Sequence, residues 1–214
     1  MTSASTPTVF IVEDDARMRV AIQRLLKTVG LRSEAFAGPQ DFLGHKLPEC
    51  PSCVVLDVRL PGMSGLEVQR KLNEMGVTIP IIFITSHGDI PMTVQAMKSG
   101  AVDFLTKPVR DQTLLDAVTA AIARDVAQRA KASIVKRTVE RLETLTLRER
   151  EVLAEVARGR LNKQIAHELG ISESTVKLHR GSVMRKMQVA SMGEFIRVWE
   201  SLPADLREPH RSRL

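Results

Sequence analysis

The sequence predicts an α/β fold, a doubly wound five-stranded parallel sheet, continued by a helical linker into a small all-α unit. Three observations carry this prediction. Over residues 1–108, short β-rich apolar runs alternate with amphipathic segments, the pattern of a parallel sheet crossed by helices. From Asp111 to about Glu143 there is neither Gly nor Pro, and Leu114, Leu115, Val118, Ala121 and Ile122 recur at helical spacing. Beyond Leu145, short helical segments are separated by turns. A length of 214 residues suits two domains better than one.

In chain order, Thr8 to Val12 is an apolar run of β-formers and precedes a helix near Ala16 to Val29. Ser33 to Phe36 precedes an amphipathic segment over Pro39 to His45. Cys53 to Leu56 leads to a helix near Leu66 to Met75, and Pro80 to Ile84 leads to Ile90 to Ser99. Val102 to Leu105 precedes the helix opening near Asp111, which is prolonged into the linker. The helical end comprises Leu147 to Ala157, a turn at Gly159, Lys163 to Leu169, a turn at Gly170, Glu173 to Met187, and Met192 to Leu202. Domains are therefore expected at 1–120, with a linker over 121–143, a helical domain over 144–202 and a flexible tail over 203–214.

The chain carries a net charge of +6, unevenly placed. Residues 1–108 hold 11 basic and 11 acidic residues, whereas residues 144–214 hold 13 against nine. A neutral first half joined to a basic second half fits a sensor attached to a reader of a polyanion. No apolar run approaches the roughly 20 residues of a membrane-spanning helix. The start, MTSASTPTVF, lacks the pattern of a secretory signal. With two cysteines besides, a cytoplasmic location without a membrane partner is expected.

The chemistry is concentrated at strand ends. Glu13, Asp14 and Asp15 directly follow the first apolar run and Asp57 directly follows the third. In a parallel sheet these ends open on one edge, so the acids should converge. Carboxylates a few Å apart repel by roughly 4 kcal/mol at an effective dielectric of 20, and one would take up a proton unless a cation intervened. Mg²⁺, which takes a few oxygen ligands and keeps waters, suits the set. Thr85 closes the fourth strand and Lys107 follows the fifth, ahead of Pro108 at a step that can be cis. A carboxylate nucleophile, a metal, a hydroxyl and an ammonium are the parts that phosphoryl transfer needs. Asp15 is expected to be exposed, and His87 to be a loop residue.

VFIVEDDARMR, VVLDVRLPGMSG, IIFITSHGD and GAVDFLTKP resemble, in this order, the receiver domain of two-component response regulators of the FixJ type, over residues 7 to 120. The resemblance implies a flavodoxin-like five-stranded fold in which Asp57 accepts a phosphoryl group from a sensor histidine kinase. It implies further that Glu13, Asp14, Asp57 and the backbone carbonyl of Arg59 hold Mg²⁺, and that Thr85 and Lys107 bind phosphoryl oxygens. Phe104 falls at the switch aromatic, which turns inward when Thr85 moves. The acidic pair is Glu-Asp where many relatives have Asp-Asp, and the longer side chain favours a water-mediated contact from Glu13.

Two other chemistries compete in this half. Cys50 and Cys53 form a C-x-x-C, but the pair leads into a strand rather than a helix N-terminus, which is the wrong setting for a reactive thiolate. Zinc would need four ligands, and His45 alone lies near. An aspartate-nucleophile phosphatase wants a second acid two residues after the nucleophile, where this chain has Arg59. A regulator rather than an enzyme is expected. The alternative to phosphorylation is a receiver that responds to a partner or ligand without it.

In the helical end, Ser172 is placed to cap a helix running to Met187. Val176, His179, Val183 and Met187 share a stripe expected to face inward, while Ser174, Lys177, Leu178, Gly181 and Arg185 share the other face, flanked by Arg180 and Lys186. Asn162 to Leu169, the Gly170-Ile171 turn and this helix make a helix-turn-helix. LTLREREVL with GRLNKQIAHELGISESTVKLHRGSVMRKM resembles the LuxR/FixJ-type DNA-binding domain over residues 144 to about 202. The resemblance implies that Lys177 and Leu178 meet base edges of double-stranded DNA and that Lys163, Thr175 and Arg180 meet phosphates. Asn162, Ser174 and Gly181 complete the candidate set, although relatives carry a longer polar residue at Gly181. One module contacts few bases, so two half-sites about 34 Å apart and a homodimer are expected. Phosphorylation would create the pairing surface around Ile90, Val94 and Lys98.

Overall fold

The computed structural model describes residues 6–200 except His87 and Asp89, together with all their side chains except that of Met192. His87, Leu202 and the tail expected over 203–214 lie outside the described residues. The chain divides into two compact units, Met1–Arg129 and Ala130–Leu214.

In the first unit, β1 (Thr8–Val12), β2 (Arg32–Phe36), β3 (Ser52–Asp57), β4 (Ile81–Thr85) and β5 (Asp103–Thr106) form one sheet of order β2-β1-β3-β4-β5. All pairings are parallel. Between them run α1 (Ala16–Thr28), α2 (Pro39–Leu43), α3 (Gly65–Glu74) and α4 (Ile90–Lys98), and α5 (Asp111–Glu143) follows β5. The order reverses between β1 and β3, which is where an open α/β sheet leaves a crevice at its carboxyl edge.

Strand periodicity explains the two cores. Phe10, Val12, Val54, Leu56 and Phe83 point to one face and pack with Phe42, Val68, Leu72 and Ala96 of α2, α3 and α4. Their neighbours Val9, Ile11, Cys53, Val55, Ile82 and Ile84 point to the other, against Ile22 and Leu26 of α1 and Leu114, Val118 and Ala121 of α5. Because both faces are covered, β1, β3 and β4 are buried throughout, so they read as unbroken apolar runs rather than alternating ones. β2 sits at the edge and begins with the exposed Arg32, a charge of the kind that discourages edge pairing. Local signals set the helix starts. Asp15 accepts hydrogen bonds from the backbone N–H of Arg17 and Met18 to cap α1, and Ser64 with Glu67 forms a capping box at α3.

Residues just past 120 pack with the first unit. The Asp125 carboxylate of α5 is buried and accepts the N–H of Ser52, the first residue of β3, at 2.8 Å. Arg129 donates to the same carboxylate at 2.6 Å. No described helix is long and apolar enough to cross a membrane.

The second unit contains α6 (Leu147–Ala157), α7 (Asn162–Leu169), α8 (Glu173–Met187) and α9 (Met192–Glu200). Their core gathers Val152, Leu153, Val156, Ile165, Val176, Val183, Met187 and Phe195. His179 departs from the expected inward stripe and is only half-buried. At 3.6 residues per turn it lies about 60° from Val176 around the helix, at the margin of the buried face.

Among the described residues of this unit, Glu149 and Glu155 of α6 are buried acids. Glu149 of α6 is 5% exposed and accepts from Thr146 N–H at 2.8 Å, from Lys186 at 2.7 Å and from the Ser182 hydroxyl. Burial pushes its carboxyl upward, but the hydrogen bonds from Lys186, Ser182 and Thr146 outweigh it and bring the pKa down to about 2. The folded-state pKa thus lies below the unfolded value near 4.5. The stabilisation is therefore complete above that value and is lost as pH falls from there toward 2. Glu149→Ala is expected to cost this unit about 2 kcal/mol near neutral pH, measured by urea unfolding, with the difference from the parent shrinking below pH 4.5.

Candidate functional site

Strand register levels the acids. Val12 pairs with Leu56, so Glu13 and Asp57 are the next residues on adjacent strands. Asp57 pairs with Ile84, Thr85 pairs with Thr106, and Lys107 comes next. Glu13, Asp57 and Thr85 are buried and Asp14 is exposed. One ligand atom from each of Glu13, Asp14 and Asp57 lies within 4.8 Å of the others.

Lys107 enters this cluster from the end of β5. Its ammonium lies 2.7 Å from Glu13 Oε2 and 2.6 Å from Asp57 Oδ2, and the Lys107–Pro108 peptide is cis. The other Asp57 oxygen accepts the N–H of Arg59 at 2.9 Å. Burial holds the Glu13 carboxyl above the ordinary carboxylate range; the hydrogen bond from Lys107 opposes this and the Asp57 charge adds to it. Burial works against the Lys107 ammonium, yet its hydrogen bonds to Asp57 and Glu13 raise its pKa above the usual value. The Lys107 ammonium thus answers two of the three carboxylates gathered here. An all-oxygen donor set with surplus negative charge fits a hard divalent cation such as Mg²⁺.

Sequence reasoning assigned Lys107 to phosphoryl oxygens. Here the ammonium is engaged with two carboxylates, one of them on the candidate nucleophile. Asp15 is exposed and caps α1. Cys53 is buried in β3, and burial, with the Asp125 charge acting in the same direction, pushes its thiol up to about 12. That environment is incompatible with a reactive thiolate. Both cysteines are free, and Cys50 lies 3.5 Å from the Thr8 hydroxyl.

Phe104 is half-buried, its ring 6.0 Å from that of Phe83. The chain beyond β4 runs close against it, since a Cβ on Gly88 would fall 2.8 Å from Phe104 Cε1 and 3.4 Å from the Thr85 methyl. Helix α4 presents Ile90, 81% exposed, and Val94, 44% exposed, with Lys98 exposed on the last turn. Met97, which sequence reasoning missed, extends the apolar stripe at 43% exposure, the third member of an i, i+4, i+7 spacing. On the buried side of α4, the Gln69 amide of α3 donates to the Ala96 carbonyl at 3.2 Å.

Two further residues at the acidic pocket carried no side-chain signal in the sequence. Gly65 donates its N–H to the Val58 carbonyl at 2.9 Å, and a Cβ there would fall 2.4 Å from the Asp57 carbonyl oxygen. Arg19 donates to the carbonyls of Glu13 and Asp14.

In the second unit, Gly170 takes a left-handed conformation with φ 63°, which ends α7 and lets Ile171 N–H close onto the Ala166 carbonyl. Ser172 then caps α8 through Thr175 N–H. Lys177, Ser174 and Gly181 are exposed, as is Leu178 at 72%, while Thr175 and Arg180 are half-buried. Asn162, Lys163, Glu173, Lys177 and Arg180 line an open groove of about 500 Å³. Arg180 donates to the Asn162 side-chain oxygen at 2.8 Å, tying the two helices across it. Three cations against Glu173 make this groove a basic one, suited to phosphate.

Residues 9–119 match the response regulator receiver domain family, and residues 143–199 match the bacterial regulatory proteins of the luxR family. The chain is 52% identical to nodulation protein W of Bradyrhizobium diazoefficiens over 202 residues, 94% of this chain and 89% of that protein. It is 40% identical to the transcriptional regulatory protein FixJ of Azorhizobium caulinodans over 190 residues, 89% of this chain and 90% of that protein. Among solved structures, that of response regulator StyR superposes with a TM-score of 0.81 at 45% identity, covering 92% of this chain and 99% of that one. With an acidic strand-end pocket on a doubly wound sheet in one unit and a helix-turn-helix in the other, the chain belongs to the response regulators of the FixJ type, a receiver domain followed by a LuxR-type DNA-binding domain.

Proposed function

We propose that this protein is a transcriptional regulator switched by phosphorylation of Asp57 from the phosphohistidine of a sensor kinase. The observation that supports it most directly is the buried Asp57 carboxylate, held between Lys107 and the Arg59 N–H and level with Glu13. An Asp57 oxygen attacks phosphorus as the P–N bond of the donor breaks. The bonding pair returns to the imidazole, and an acyl phosphate forms on Asp57. Lys107, already within hydrogen-bond distance of Asp57 Oδ2, is placed to follow the charge onto the incoming phosphoryl oxygens, and Thr85 bonds another of them. Asp14, Asp57 and the Arg59 carbonyl, with Glu13 through a water, would hold Mg²⁺, which would supply charge neutralisation there.

The signal then leaves through Thr85. Movement of Thr85 toward the phosphoryl group frees space beside Gly88, Phe104 turns inward, and α4 is repositioned. The stripe of Ile90, Val94 and Met97, with Lys98, becomes a self-complementary surface that pairs two chains. Two DNA-binding units then occupy adjacent half-sites, with Lys177 and Leu178 at base edges, Lys163, Thr175 and Arg180 at phosphates, and Asn162, Ser174 and Gly181 lining the contact. Shifting occupancy from 1:99 to 99:1 requires about 5.5 kcal/mol of preference, which phosphorylation and dimer contacts supply together. The test is a gel-shift titration of a genomic fragment library with and without acetyl phosphate and Mg²⁺. Phosphodonor-dependent retention of specific fragments is expected, and indifference to the donor counts against the proposal.

The metal has a direct signature. Mg²⁺ at a hundredfold excess over its dissociation constant is expected to stabilise the first unit by about 2.7 kcal/mol. Scanning calorimetry with Mg²⁺ and with EDTA measures the increment, and Asp14→Asn should remove most of it. In EDTA the same variant should unfold no earlier than the parent, because one repelling carboxylate is gone.

A further inference from the structure

Helix α1 opens with a charge that its position disfavours. Arg19 lies at the fourth helical position, one turn from the positive end of the helix dipole, where a cation loses some tenths of a kcal/mol. Its side chain nevertheless folds back over that end. Nη1 donates at 2.7 Å to the carbonyl of Glu13 and at 2.8 Å to the carbonyl of Asp14. Both peptide oxygens lie between the end of β1 and the helix, outside either ladder, and would otherwise lack a partner from regular structure.

The two acids differ in how else they are held. Glu13 is fixed at several points: its N–H donates to the Phe36 carbonyl, one side-chain oxygen accepts Asp15 N–H and the other accepts Lys107. Asp14 is exposed, and among the described residues no side chain hydrogen-bonds its carboxylate. The bond from Arg19 to the Asp14 carbonyl restrains the Asp14–Asp15 peptide from one side while Glu13 Oε1 holds its N–H from the other, and this peptide is the base from which the Asp14 carboxylate projects. The same Nη1 also bonds the Glu13 carbonyl, so one guanidinium nitrogen ties the two successive peptides that carry the acids.

We propose, resting on the phosphoacceptor function above, that Arg19 is a positioning residue that pre-organises Glu13 and Asp14 for a divalent cation. It acts through peptide oxygens rather than through its charge. The two possibilities have opposite signs. Deleting a cation beside an acidic pocket strengthens the binding of a divalent ion if charge alone matters. Deleting an outer partner that orients ligands weakens it, by 10- to 100-fold in metal sites generally.

The experiment is a Mg²⁺ titration of the full-length protein, followed by the amide resonances of Asp57 and Arg59, in the parent, Arg19→Met and Arg19→Lys. Arg17→Met, at an exposed arginine of the same turn, controls for charge. Arg19→Met is expected to raise the Mg²⁺ dissociation constant at least tenfold, Arg19→Lys by less, and Arg17→Met not at all. Phosphorylation by acetyl phosphate should recover at high Mg²⁺. A merely structural role would instead lower the melting temperature in EDTA and leave the dissociation constant of the folded protein unchanged. A constant within twofold of the parent in Arg19→Met, or a smaller one, overturns the proposal. Should Arg19→Met not fold, parent-like binding in Arg19→Lys overturns it equally. A parent that shows no Mg²⁺ response at Asp57 and Arg59 overturns the phosphoacceptor function itself, and that failure is visible before any variant is compared.

Discussion

Asp57→Asn is expected to abolish phosphoryl incorporation from acetyl phosphate, a loss of at least ~100-fold, because a neutral amide is no nucleophile. The variant should remain folded. Asparagine keeps an oxygen that can accept either the Arg59 N–H or the Lys107 ammonium, the two donors that hold Asp57. It also reduces the negative charge gathered within 4.8 Å from three carboxylates to two. Intact-mass spectrometry after incubation with the donor checks the first expectation, and calorimetry in EDTA the second. Labelling of Asp57→Asn at the parent's level would place the acceptor elsewhere and remove the basis of the proposed switch.

Gly65→Ala should be the most damaging single methyl addition in the first unit. The new Cβ would lie 2.4 Å from the Asp57 carbonyl oxygen and 3.1 Å from Val58 Cα. Both neighbours are backbone of the buried strand end, so no side-chain tip can swing aside. A loss of about 3 kcal/mol is expected, together with at least a tenfold fall in the labelling rate as Asp57 and Arg59 are displaced from Glu13 and Lys107. Gly181→Ala is the matching control: nothing lies within 4 Å of its added Cβ, and alanine is the better helix former by about 1 kcal/mol. Denaturant unfolding of both variants measures the contrast. Equal stability of Gly65→Ala and the parent would mean that the loop after β3 relaxes freely.

Much of this site was legible because its chemistry sits immediately after apolar runs. Val9 to Val12 and Val54 to Leu56 announce buried strands, and the acids that follow them cannot continue inward. That placed Glu13, Asp14, Asp57, Thr85 and Lys107 on one edge. Their mutual distances were not legible, since they depend on the strand order β2-β1-β3-β4-β5 and on the register of Val12 with Leu56, which no local pattern encodes. Lys107 shows the same limit: its location followed from the sequence, but its pairing with Glu13 as well as Asp57 needed the four strands β1, β3, β4 and β5 in place. Arg19 and Gly65 escaped notice because their partners are peptide carbonyls, which have no letter in the sequence. His179 was misjudged for a geometric reason, since a spacing of three falls about 60° short of a full turn and lands at the edge of a helical stripe.

Strand β3 is gripped at both extremities: Asp125 takes the amide of Ser52 where it begins, and Lys107 takes the carboxylate of Asp57 where it finishes. Each terminus of β3 is thus tied by a side chain to a stretch far away along the chain, α5 at one and the turn after β5 at the other, so its alignment rests on those ties as well as on its ladders.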